Sequence, residues 1–216
     1  MAVGVGEMVN GMRSPRLLAW GIRVEWFSLC WMVVEGVVGL LAGLRAHSLA
    51  LTAFGADSAV ELVAGWLVIR HLYAEVGAGP DTGLSRAADA RAEGRVGLTL
   101  LVLAALILAG AAWDVAVRTV PQVTMAGLVL AMGSAVLMPL LAAAKKRLGK
   151  RLDLASLQAD GSCSTACAYM AWILLADLVL QRWIDAWWLN AMSVMPLLYF
   201  IVREGLEGLE HIWPEP

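Results

Sequence analysis

Six apolar stretches, each long enough to cross a bilayer, govern what this chain can fold into. They cover roughly residues 22–44, 48–72, 96–120, 122–144, 154–181 and 187–202. A helix rises ~1.5 Å per residue, so about 20 mostly apolar residues cross the hydrocarbon core. Of the 216 residues, 60% are hydrophobic and only 16% charged, with a mean hydropathy of +0.73. Soluble domains carry about a quarter charged residues. The sequence therefore predicts an all-α integral membrane protein with six transmembrane helices.

Residues 1–21 read as a cytoplasmic or interfacial lead, 22–210 as the six-helix domain, and 211–216 as a short tail. The turns at 45–47, 119–121 and 182–185 are very short. Longer polar loops are expected at about 73–95, around the Gly79-Pro80-Asp81 turn signal, and at 145–153. Of the 16 basic residues, only Arg45, Arg118 and Arg182 fall on one side of the membrane. The rest, from Arg13 to Arg203, fall on the side of the termini. The positive-inside rule then puts both termini in the cytoplasm. Trp20, Trp26, Trp66, Trp183, Trp187, Trp188 and Trp213 stand near span ends, as interfacial indoles do. The basic cluster Lys145–Arg151 is expected to fix this topology and touch anionic lipid. Asp177 is expected at the outer interface, and Asp114 with Arg118 as a structural i, i+4 pair.

Several classes drop out. A net charge of −2 leaves no broad basic surface for nucleic acid. Cys30, Cys163 and Cys167 all lie in apolar runs, so no disulfide framework is implied. The first apolar run is already of span length, unlike a cleavable signal. No span or loop sets a nucleophile beside a base, so an enzyme is not expected. His47, His71 and His211 lie in a turn, at a span end and in the tail. The excess of arginine over lysine suggests a GC-rich bacterial genome, and so a bacterial inner membrane.

Four carboxylates nevertheless sit well inside spans: Glu35 in the first, Asp57 and Glu61 in the second, Asp160 in the fifth. An acid near the centre of a spanning helix costs roughly 2.5–3.5 kcal/mol, and such residues often mark ion pathways. Asp57 and Glu61 share one helix face about 6 Å apart along the axis. No basic residue lies within eight positions of Asp57 on either side. Two such carboxylates repel unless a proton or cation sits between them, and a divalent cation neutralises both. The plainer alternative is a pair of protonated acids hydrogen-bonded between helices. In the fifth span, Asp160, Cys163, Ser164 and Cys167 share a face by i, i+3, i+4, i+7 spacing. Carboxylate with thiolate suits Zn²⁺ and its neighbours. Counting depth from the cytoplasmic ends pairs Glu61 with Cys163 and Asp57 with Cys167.

At these residues the chain resembles the cation diffusion facilitator family. The resemblance rests on SLALTAFGADSAVEL at 48–62, WMVVEGVVGLLAGL in the first span, and WWLNAMSVMPLLYFIVREGLEGLE at 187–210. Members have six transmembrane helices with cytoplasmic termini and exchange divalent metals for protons. Their site combines an Asp-xxx-Asp pair on the second helix with His-xxx-Asp or Asp-xxx-Asp on the fifth. Here the second helix has Asp57-xxx-Glu61. Around Asp160 the partner position holds Ser156 or Ser164, leaving Cys163 as the substitute ligand. Asn190 stands near where the sixth helix often carries aspartate, and no cytoplasmic metal-binding domain is expected.

The resemblance implies a secondary transporter exporting a divalent transition metal in exchange for protons. Zn²⁺ comes first, with Fe²⁺, Mn²⁺, Co²⁺ or Cd²⁺ as alternatives, and no resident cofactor is expected. The expected metal ligands are Asp57, Glu61, Asp160 and Cys163. Glu35, Ser156, Ser164 and Cys167 are the expected supporting or proton-relay groups. The expected partners are the lipid bilayer, the metal and protons, with a homodimer left open. A membrane metal sensor or accessory subunit that keeps the site without transporting is the rival reading.

Overall fold

The computed structural model describes residues 15–77, 83–118, 122–152, 154–184 and 187–210. They form six helices: α1 (Pro15–Ala46), α2 (Leu49–Gly77), α3 (Gly83–Val117), α4 (Met125–Leu152), α5 (Ala155–Trp183) and α6 (Trp187–Glu210). No strand occurs among the described residues. Five helices, α1 to α5, are long and apolar enough to cross a membrane. Asn190, Pro196, Arg203 and Glu204 lower the apolar content of α6. The outward faces are apolar as well, with Val37, Leu41, Leu106, Val129, Leu140 and Trp172 all exposed. Helices hydrophobic all round are stable where lipid is the solvent, so this is an integral membrane protein.

The expected loops are mostly helical. α2 continues to Gly77 and α3 starts at Gly83, so only 78–82, which hold the Gly79-Pro80-Asp81 signal, lie outside the described residues. The sequence Leu84 to Arg95 holds four Ala and three Arg, both good helix formers in a polar setting. α4 likewise runs through the basic cluster to Leu152, with no proline between Lys145 and Leu152 to stop it. At the first expected turn, His47 adopts a left-handed φ of 50° that lets α1 end in one residue. Ser48 then caps α2, its Oγ accepting from Leu51 N at 3.3 Å, while its own N–H donates to Gly43 O.

α2 is the central helix, packing on α1, α3, α5 and α6, while α4 and α5 form a second close hairpin. Small residues set the α1–α2 crossing. A Cβ placed on Gly55 would stand 2.5 Å from Leu40 N and 2.8 Å from the Gly39 carbonyl carbon. Backbone cannot swing aside, so the helices would have to part, as expected where small residues bring membrane helices together. Gly55→Ala is expected to cost about 1–3 kcal/mol, the usual range for overpacking, read as an earlier melting transition in detergent. Gly21→Ala, whose Cβ would meet only side chains at 3.7–3.9 Å, should melt with the native protein.

Pro139 sits inside α4 and cannot donate to the carbonyl four residues back, which belongs to Ala135. The Trp172 indole of α5 donates to that oxygen at 3.0 Å. The break is thereby satisfied within the α4–α5 hairpin.

Candidate functional site

α2 and α5 touch, and at their contact lies a cluster of Asp57, Glu61 and Cys167. One ligand atom from each falls within 4.8 Å of the others, and all three residues are buried. The Cys167 thiol donates to Glu61 Oε2 at 2.9 Å. Glu61 Oε1 and both carboxylate oxygens of Asp57 have no hydrogen-bond partner. Buried polar atoms are rarely left so, and an unpaired buried carboxylate is costly unless a proton or cation joins it. Two carboxylates and a sulfur suit a borderline-soft divalent ion, which would draw its ligand atoms to ~3.5 Å from one another given metal bonds of 2.0–2.3 Å.

Glu61 thus meets Cys167, one helical turn beyond the Cys163 that depth counting pairs with it. The reason is the tilt of helical side chains toward their own N-termini. α2 and α5 run in opposite directions, so Glu61 leans toward one membrane face and Cys167 toward the other, and the two close on each other. Cys163 is half-buried, one turn nearer Asp160.

Glu35 is fully buried on α1 and held by its neighbours. Trp31 Nε1 donates to its Oε1 at 2.7 Å, and Ser58 Oγ of α2 to its Oε2 at 3.4 Å. This places a hydrogen-bonded acid beside Asp57, its neighbour in charge. Ser164 is buried with its Oγ unpartnered. Ser156 lies half-buried in the first turn of α5, at the far end from Cys167.

The structure does not bring Asp160 into the cluster. Its carboxylate pairs with Lys145 of α4, Nζ to Oδ2 at 2.5 Å, and Lys145 also reaches Glu25 Oε1 of α1 at 3.3 Å. Lys145 is fully buried, which corrects the expectation that the whole cluster from 145 to 151 faces lipid headgroups. Its position follows from the hairpin. Lys145 and Asp160 lie nearly equidistant from the α4–α5 turn, and antiparallel helices put such residues opposite one another. Asp177, expected at the interface, is buried too, accepting from Gln181 Nε2 at 2.6 Å and from the Ser193 hydroxyl.

Two acids escaped the sequence reading. Glu25 lies near the start of the first apolar run, where an acid passes for an interfacial residue. Its partner Lys145 is 120 positions away. Glu204 follows Arg203 at the end of the last apolar run, yet its Oε1 is buried and has no hydrogen-bond partner. The i, i+3 spacing of Glu25 with Ser28, and a further seven positions to Glu35, is the signal that marks a polar face on α1.

Fold and site together define a helical membrane protein with a buried acid–thiol cluster. No protein-family model matches the chain, and no curated protein matches it.

Proposed function

We propose that this protein is a secondary transporter that carries a divalent transition metal out of the cytoplasm in exchange for protons. The observation that carries the reading is the convergence of Asp57, Glu61 and Cys167, from two touching helices, with unpartnered oxygens in the interior of a membrane bundle. In this reading α6 is the sixth span, both termini are cytoplasmic, and the membrane is the bacterial inner membrane.

Zn²⁺ is the first substrate, since two carboxylates and a thiolate match its ligand preference. The metal enters from the cytoplasmic side and releases the thiol proton as it binds, because only the thiolate ligates. Rocking of the helices then turns the site outward. Protons arriving there compete for the same oxygens and free the metal. Glu35, hydrogen-bonded by Trp31 and by Ser58, the residue next to Asp57, is the acid that hands protons on.

The test is zinc uptake into proteoliposomes with an acidic lumen. Uptake should accelerate with the outward proton gradient and collapse when an ionophore dissipates it. Stoichiometric zinc binding with no flux above empty liposomes would overturn transport and leave the sensor.

A further inference from the structure

The buried trio of Glu25, Lys145 and Asp160 has a geometry that a purely structural ion pair does not need. Two carboxylates from α1 and α5 flank one ammonium, at 3.3 and 2.5 Å. Glu25 is fully buried, and its second oxygen, Oε2, has no hydrogen-bond partner. With both acids ionised the trio carries one net negative charge. α2 makes room for it at Gly65, where a Cβ would stand 3.2 Å from Glu25 Oε1. Gly161 lets α4 come close beside Lys145, since a Cβ there would stand 3.0 Å from Lys146 N and 3.2 Å from Lys145 Cβ.

Between this trio and the acid–thiol cluster stand two more buried oxygens. Ser28 follows Glu25 by three positions on α1, and Ser164 follows Asp160 by four on α5. Both hydroxyls are fully buried and neither finds an acceptor. Cys167 comes three positions after Ser164. At ~1.5 Å per residue the seven residues from Asp160 to Cys167 span about 10 Å. Both walls of that interval therefore carry unpartnered oxygens at turn-length steps, an arrangement that ordinarily implies water or an ion.

We propose that Glu25 and Asp160 form a second cation site, a way station for the divalent metal, with the Lys145 ammonium as its tethered occupant. The inference rests on the transport reading of the Asp57–Glu61–Cys167 cluster. A divalent cation arriving between the two carboxylates neutralises both and displaces the ammonium, which swings on its flexible four-carbon stem. The displaced ammonium is then a buried charge without a partner. Its return drives the metal on along Ser28 and Ser164, so the site passes the metal on and does not hold it.

The experiment counts zinc bound per protein by equilibrium dialysis and elemental analysis. Native protein should hold one equivalent, Lys145→Met two, and Lys145→Met with Glu25→Gln one, each variant being purified with zinc present. One equivalent in both native and Lys145→Met protein overturns the second site and leaves the cluster intact. None in native but one in Lys145→Met overturns the cluster while supporting the second site. None in either overturns both. Glu25→Gln alone keeps the Lys145–Asp160 pair and so gives an independent reading. Its dialysis affinity should stay within about twofold of native, while half-saturating zinc for flux rises about tenfold, because an entry step and not the resting site has been weakened. An unchanged half-saturating concentration overturns the way station even if Lys145→Met fails to fold.

Discussion

Zinc flux through reconstituted Asp57→Asn protein will fall to the level of empty liposomes, and its zinc affinity will drop by at least about a hundredfold. The magnitude follows from the partners. Asp57 is fully buried, and neither of its oxygens makes a hydrogen bond within the protein. Removing one member of a buried charge pair typically costs about 3–5 kcal/mol, and each 1.4 kcal/mol is a factor of about ten in affinity. The amide keeps the size of the side chain and loses the charge, so packing against the α1–α2 crossing is preserved. Stability gives a second reading with a definite sign. In zinc-free protein the substitution removes the need to protonate or balance a buried acid, so Asp57→Asn should melt no earlier than native. With zinc at about 100 times its dissociation constant, native protein should gain about 2.7 kcal/mol, and the variant at most about 0.4 kcal/mol. A structural, protonated Asp57 predicts the reverse, with an earlier melting transition for Asn and no zinc dependence in either protein. Retained flux in Asp57→Asn would remove the carboxylate from the mechanism.

The helices were legible because the solvent is lipid. Each apolar run maps onto one helix, and the short turn at His47 lies where the run breaks. Their ends were less legible. Past the hydrocarbon core a helix continues as long as local propensity allows, which hydropathy does not report; α3 begins at Gly83 and α4 includes Lys150 and Arg151. For the site, an acid deep in a run is visible because it is out of place, and so Glu35, Asp57, Glu61 and Asp160 stood out. Which of them meet depends on helix contacts and on side-chain tilt. The tilt moves the partner of Glu61 from Cys163 to Cys167. The hairpin geometry gives Asp160 to Lys145, a residue whose place in a basic cluster marks it as surface. Glu25 and Glu204 were hidden by the same logic, since charge at the edge of an apolar run is ordinarily solvated.

Under the transport reading, Cys167 should decide which metal is preferred. Replacing it with serine changes one atom and leaves a donor toward Glu61, so the α2–α5 contact should survive. The site would then offer oxygen alone. Soft thiolate favours Zn²⁺ and Cd²⁺, whereas oxygen donors suit Mn²⁺ and other hard cations. Cys167→Ser should therefore weaken cadmium and zinc binding about 10- to 100-fold, on the scale that altering a metal's immediate surroundings commonly produces. Manganese affinity should change by less than about threefold, since it gains little from sulfur. Competition between cadmium and manganese in one flux assay reads the ratio directly and cancels differences in protein yield. Cys163→Ser is the control. Cys163 is half-buried and lies a turn away toward Asp160, so its removal should leave the ratio as in native protein. A shifted ratio in Cys163→Ser with none in Cys167→Ser would mean that the metal sits a turn closer to Asp160, and the pairing of Glu61 with Cys167 would not describe the occupied site.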